Sequence, residues 1–156
     1  MAISKTLRAF LDGRGVEYAV VPHPRTASAN RSAEAAHLPG DRIAKAVLLA
    51  DADAFHLALV PATRRLRLGR LHHLLGEHVG LATEDEVAAQ FPDCTRGAVP
   101  ALGPAYGLDS LVDESLLAGD TVYLEGGDHE SLVRLNGSDF THLLAQARHG
   151  QFSVHI

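Results

Sequence analysis

The spacing of apolar residues changes several times along this chain, and each change marks a boundary between helix and strand. Leu7, Phe10 and Leu11 recur at the i, i+3, i+4 spacing of an amphipathic helix that Ser4 can cap and that Gly13 and Gly15 end. Glu17 to Val21 has strand composition. Pro22-His23-Pro24 stops that strand, because two prolines remove two backbone donors and force extended geometry, and His23 is left in a rigid loop. Thr26 or Ser28 then starts an alanine-rich helix that runs to about His37 and is terminated by Pro39-Gly40.

Two apolar runs, Lys45 to Ala50 and Phe55 to Val60, flank Asp51-Ala52-Asp53-Ala54 and predict a hairpin of central strands. Arg67 to Leu75 reads as a helix. Thr83-Glu84-Asp85-Glu86 has the form of a capping box, opening a helix to about Gln90 that Phe91-Pro92 closes. Between Asp93 and Gly107 the chain is too rich in Gly and Pro for regular structure yet too apolar for a loose linker, which predicts an ordered, packed loop. Leu108 to Asp113, Thr121 to Glu125 and Ser131 to Leu135 predict three further strands, the last two joined around Gly126-Gly127-Asp128. Ser138 or Asn136 can cap a final helix containing Phe140, Leu143 and Leu144. Intermixed helices and hairpins define an α+β class, one compact domain with a mixed, mostly antiparallel sheet.

Composition narrows the class. With 156 residues, 46% of them hydrophobic and 21% charged, the chain has the size and balance of one folded domain with one core. Cys94 is the only cysteine, which excludes an intramolecular disulfide and a cysteine-based zinc site and fits a reducing, cytoplasmic location. Met1 to Phe10 lacks the apolar core of a signal peptide, and no stretch approaches ~18 uninterrupted apolar residues, so neither export nor a membrane span is expected. The formal net charge of −5 argues against holding nucleic acid by charge alone. Arg64, Arg65, Arg67 and Arg70 form a local basic group that reads either as a solvated turn entering a helix or as a meeting point for a few phosphates.

Most catalytic signatures are absent. His72-His73 with Glu77 and His78 does not have the His-Glu-x-x-His spacing that puts two imidazoles on one helix face, so no metal is expected, and no cofactor motif occurs. There is no Gly-x-Ser-x-Gly elbow, phosphate-binding loop or dinucleotide turn. Cys94 reads as a small structural cysteine rather than a nucleophile.

Lys45 stands out. It lies in Arg42-Ile43-Ala44-Lys45-Ala46-Val47-Leu48-Leu49-Ala50, where a buried ammonium is costly unless it gains an anionic or hydrogen-bonding partner. Its two readings are a ligand-binding or catalytic group, and a strand-initial lysine whose stem covers apolar surface while its amine reaches water.

Several segments, taken in order, decide between them. His23-Pro24 with Thr26, Ile43-Ala44-Lys45, Leu57-Ala58-Leu59-Val60-Pro61-Ala62, Gly97-Ala98-Val99-Pro100, Leu111-Val112-Asp113-Glu114, Gly126-Gly127-Asp128-His129, Leu132-Val133-Arg134-Leu135 and Asp139-Phe140 resemble the YbaK family of aminoacyl-tRNA deacylases. These are free-standing relatives of an editing domain found in bacterial prolyl-tRNA synthetases. The resemblance spans nearly the whole chain and implies a partly barrel-like sheet flanked by helices.

It also implies a reaction, hydrolysis of the ester between a wrong amino acid and the terminal adenosine of a tRNA. Such an ester is already activated, so the protein mainly positions a water and stabilises the oxyanion. Lys45 falls on the family's essential lysine, and the Gly97, Ala98 and Val99 amides are the implied oxyanion or ester donors. His129 matches a histidine near the amino-acid pocket, though a hairpin bend alone also accounts for it, and His23, Thr26 and Pro100 are expected to line the pocket. The implied partners are the aminoacyl-tRNA acceptor end and an aminoacyl-tRNA synthetase. One departure concerns the loop, where relatives carry a proline four positions after the glycine and this chain has Ala101, with Pro100 one position earlier. Two other classes of function fit the same chain, a non-catalytic tRNA- or synthetase-binding module and a hydrolase of small acyl esters.

Overall fold

The computed structural model describes residues 3–26 and 28–156; Met1, Ala2 and Ala27 lie outside the described residues. Ser4 caps α1 (Lys5–Gly13) by accepting from the Leu7 amide, which turns Leu7 and Leu11 into the core, each fully buried. After β1 (Tyr18–Pro22), Ser28 rather than Thr26 caps α2 (Ala29–Ala36), and His37 ends it in the left-handed conformation. The Thr26 hydroxyl is instead bound to the Ser32 hydroxyl at 2.6 Å.

The expected hairpin is β2 (Ile43–Ala50) and β3 (Phe55–Pro61). A short β4 (Arg64–Leu66) leads into α3 (Leu68–Leu75), β5 (Gly80–Leu81) and α4 (Glu84–Gln90). In α4 both halves of the Thr83–Glu86 capping box form. The Gly- and Pro-rich loop follows, and then β6 (Asp109–Asp113), β7 (Thr121–Glu125), β8 (Ser131–Asn136) and α5 (Gly137–Leu143). The chain does not finish on a helix as the apolar pattern predicts, because β9 (Arg148–Gly150) and β10 (Ser153–His155) come after it.

Seven strands run in the order β1-β8-β7-β2-β3-β6-β9, with β5 added to β2, and β10 pairs β4 in a separate two-stranded sheet. The large sheet is mixed as expected: β1–β8, β7–β8, β2–β3 and β2–β5 are antiparallel, and β2–β7, β3–β6 and β6–β9 are parallel. Strand alternation sorts the side chains of β2 between two faces. Ala44, Ala46 and Leu48 join the main core with α1, α5 and the Gly- and Pro-rich loop. On the other face Ile43 packs in a cluster under α2 with Ala33, Ala62 and Leu132, while Leu49 and Val47 pack in a cluster under α3 with Leu71.

Candidate active site

Lys45 falls on the seam between those two outer clusters. Its cross-strand partner is Val60, fully buried in the α3 cluster, and the residue two before it, Ile43, belongs to the α2 cluster. Burial pushes the Lys45 ammonium below its usual pKa. Among the described residues no carboxylate pairs with its amine and no side-chain or carbonyl oxygen accepts from it. The cost of desolvation is therefore left uncompensated within the chain.

The sheet opens beside this residue. Pairing of β2 with β7 stops at Ala44↔Leu124, and pairing with β5 begins only at Leu49↔Leu81. Along the gap lies a cleft of about 530 Å³ whose walls include Ala46, Val47, Leu48, Ala82, Val87 and Val99, with Glu84, Arg96 and Gly97 on its rim. The walls are mostly apolar, and the volume is that of a small-molecule site.

A single turn organises the far side of the gap. Glu125, at the end of β7, accepts from the amides of Gly127 (2.9 Å) and His129 (3.3 Å), which fixes His129 at a φ of 61°. The His129 ring is mostly buried, and its Nε2 lies 2.9 Å from the Arg96 carbonyl. A carbonyl can only accept, so Nε2 carries the proton and Nδ1 faces the Glu125 carboxylate at 3.8 Å. Gly97 has a φ of +83°, and a Cβ there would stand 3.6 Å from His129 Nε2. The same turn holds the β1 side, since His23 N donates to Glu130 O at 2.9 Å and Thr26 N to His129 O at 3.1 Å. Thr95 N donates to Gly127 O at 2.7 Å and anchors the start of the glycine loop.

The geometry revises the sequence-based site in several places. The Ala98 amide, expected to be a free donor, is spent on the Thr95 carbonyl at 2.9 Å, and Ala98 is fully buried. The Gly97 and Val99 amides have no partner among the described residues, and both residues line the cleft. Pro100 and Ala101 are buried behind the loop rather than exposed in the cleft. His23, Thr26, His129 and Lys45 itself are not among the residues that line it either, Lys45 preceding the lining residue Ala46. His23 is buried with Nδ1 at 2.7 Å from the Pro24 carbonyl and Nε2 without a partner among the described residues, and Thr26 borders a separate groove beside Arg25 and Arg31. Two contributors escape sequence reading, Glu125, which shapes the His129 turn, and Arg96, which Asp85 holds at 2.9 Å on the rim. A carboxylate just before Gly126-Gly127 is the one local signal for the first. Among the described residues no group of three or more His, Cys, Asp or Glu side chains is placed to hold a metal ion, and no helix is long and apolar enough to cross a membrane.

A mixed sheet parted beside a half-buried lysine, with helices on its outer face and a glycine loop packed on the core side, is the architecture of the YbaK-like editing fold. The chain is a member of the aminoacyl-tRNA editing domain family, whose model matches residues 23–143 and so includes Lys45, the glycine loop and the His129 turn. Among solved structures it is similar to a candidate trans-editing enzyme for prolyl-tRNA synthetase, at 27% identity and a TM-score of 0.80, covering 98% of this chain and 99% of that one. A hypothetical protein shares the fold at 23% identity and a TM-score of 0.83, over 96% and 100% of the two chains. So does a candidate signal transduction protein from Marinobacter aquaeolei VT8, at 21% identity and a TM-score of 0.75, over 95% of this chain and 30% of that longer one. No curated protein matches the chain. The YbaK-like family and fold expected from the motifs are thus the ones found.

Proposed function

We propose that the protein is a free-standing, cytoplasmic aminoacyl-tRNA deacylase that hydrolyses the ester of a mischarged tRNA, with a small non-cognate amino acid on a proline tRNA as the leading substrate. The observation that carries this reading is Lys45, a half-buried ammonium with no anion of its own beside a cleft with two unspent amides. A phosphodiester or ester oxygen of the terminal nucleotide supplies the missing partner. The Gly97 and Val99 amides then face the ester carbonyl, where negative charge develops as water adds. The acyl–oxygen bond to the ribose breaks, the free acid leaves, and the ribose oxygen takes up the proton that the water gives.

The carboxylates and imidazole nearest the gap are engaged at one atom each or turned to solvent, Glu84 on the rim being almost fully exposed. His129 holds the loop through its Nε2 proton, and Glu125 holds the turn through Oε2, which accepts from two amides. As the family resemblance implies, proton removal from the water falls to a ribose hydroxyl of the substrate, and Lys45 and the loop position the reacting carbonyl. The apolar cleft receives the amino-acid side chain, and a synthetase can deliver the charged tRNA.

The test is single-turnover hydrolysis of alanyl- and cysteinyl-tRNA carrying the proline anticodon, by the wild-type protein and Lys45→Ala in parallel. Lysine-dependent ester loss supports the reading. Binding of charged tRNA without ester loss would favour a binding module instead, the alternative to which Ala101, in the place of the family proline, lends weight. Hydrolysis of free amino-acid esters at a rate that the tRNA body does not improve would favour a small acyl-ester hydrolase.

A further inference from the structure

From Ala54 to Gly76 the sequence contains no aspartate or glutamate, although the whole chain carries 19 and a net charge of −5. This acid-free segment includes β4 and α3, and its four arginines have different fates. Arg64 is consumed inside the fold, its guanidinium donating to the Ser153 hydroxyl (2.7 Å) and carbonyl (2.8 Å) across the β4–β10 pair. Arg65, Arg67 and Arg70 are exposed, and among the described residues none of them makes a side-chain hydrogen bond or an ion pair.

Their placement costs the protein something locally. Arg67 is the N-cap of α3 with no side-chain cap bond, and Arg70 follows within the first turn, where the helix dipole disfavours a cation and where α4 by contrast carries Glu84, Asp85 and Glu86. Among the described residues no carboxylate pairs with either arginine. Arg67 and Arg70, three apart, share the outer side of a helix whose Leu68, Leu71, Leu74 and Leu75 pack inward.

The patch also lies on the lysine's side of the sheet. Val60, directly across from Lys45, is in the cluster that seats α3, so the helix stands beside Lys45 on one face. At the α4 end of the gap Glu84, Asp85 and Glu86 outnumber the one cation beside them, Arg96, which pairs with Asp85 and Glu84. A polyanion whose end reaches Lys45 is therefore attracted toward α3 and repelled from α4.

We propose that Arg65, Arg67 and Arg70 form the surface on which the phosphate backbone of an RNA acceptor stem lies while its 3′ end enters the gap beside Lys45. This rests on the deacylase reading for the identity of the RNA, and it adds where the body of that RNA runs. The contacts are to phosphates, so they orient the stem without reading its sequence.

The experiment compares wild-type protein with the triple variant Arg65→Gln, Arg67→Gln, Arg70→Gln, after thermal unfolding has shown both to be folded. Binding of uncharged tRNA, followed by fluorescence anisotropy across a salt series, is expected to weaken at least about tenfold, with the slope of log K against log salt falling by ~2–3. Should any mischarged tRNA prove to be a substrate, the preference for it over a short ester carrying only the terminal CCA is expected to fall by a similar factor. Unchanged tRNA affinity and slope in the triple variant overturn the proposal whatever the protein hydrolyses, and so does a wild-type protein that does not bind tRNA. A protein that hydrolyses no ester, yet whose tRNA binding depends on these arginines, removes the deacylase reading and leaves the surface standing.

Discussion

The imidazole of His129 lies against the backbone of Gly97, close enough that a Cβ added to the glycine would stand 3.6 Å from Nε2. That is ordinary contact, so space does not exclude a side chain at Gly97; its φ of +83° does. For an L-residue the left-handed conformation costs roughly 1–2 kcal/mol. Gly97→Ala is accordingly expected to lower stability by about 1 kcal/mol, because a surface loop can relax part of that strain. Its effect on ester hydrolysis is expected to be far larger, since relaxation re-aims the Gly97 and Val99 amides. Chemical denaturation and single-turnover kinetics on the same preparation separate the two, and a parallel decline of rate and stability would count against an oxyanion role for the loop.

Lys45 should show the opposite balance. Its ammonium is desolvated without a partner in the chain, so Lys45→Met exchanges a disfavoured charge for an apolar stem of similar length. The variant is expected to unfold at the same temperature as wild type or higher, while losing hydrolysis. The pH dependence has a definite sign. A lysine whose folded pKa is lowered binds fewer protons folded than unfolded, so its destabilising effect is present at neutral pH and fades as pH rises through the folded pKa toward the ordinary 10.5. The stability gap between Lys45→Met and wild type should narrow as pH rises through the lowered folded pKa toward 10.5, and a gap that widens there would contradict the burial argument.

How much of this was legible in the chain depends on whether the determining contact is local. The α4 capping box is contained within Thr83–Glu86 and could be read directly, as could the apolar runs of β2 and β3. β9 and β10 could not. Arg148-His149-Gly150 and Ser153-Val154-His155 are short and polar, and they become strands because of what they meet, β6 for one and β4 for the other. The site divides in the same way. Lys45 announces itself as a charge in an apolar run, but the gap beside it exists because β2 pairs with β7 and β5 in separate stretches, a matter of register. The fate of the Ala98 amide was equally hidden, since a turn closing on Thr95 leaves no compositional mark.

Cys94 should behave as an inert thiol. Burial, the largest influence, pushes it up to about 11, with Asp93 adding to the effect, and the Tyr106 hydroxyl lies 3.3 Å away in contact with Ser4 and Asp93 as well. At pH 8 almost none of it is thiolate. Alkylation by iodoacetamide is expected to be slow in the folded protein and to accelerate sharply across the unfolding transition. Rapid modification of the native state, or loss of hydrolysis on Cys94→Ala, would revive the nucleophile that the geometry argues against.

Asp113 ties the late strands to the sheet, and acid should reveal it. Burial alone would raise its carboxyl, but donors outweigh that: the Ser115 hydroxyl and amide, the Ser153 hydroxyl and the Phe152 amide hold it below the usual carboxylate value. A carboxyl whose folded pKa is depressed contributes stability that is fully present above its unfolded value, near 3.8, and is lost as pH falls through the folded one. Asp113→Asn keeps the shape but replaces one acceptor oxygen by a donor facing other donors. It is expected to cost about 1–3 kcal/mol at pH 7, the range for a buried polar group left without a partner. The loss should concentrate where Phe152 and Ser153 dock, so limited proteolysis is expected to cut the variant after Leu144 before the rest of the chain. As pH falls from 3.8 through the lower folded value, wild type and variant should converge, because only then does the folded wild-type carboxyl protonate; equal stability of the two already at pH 7 would show that the network does not hold β10 in place.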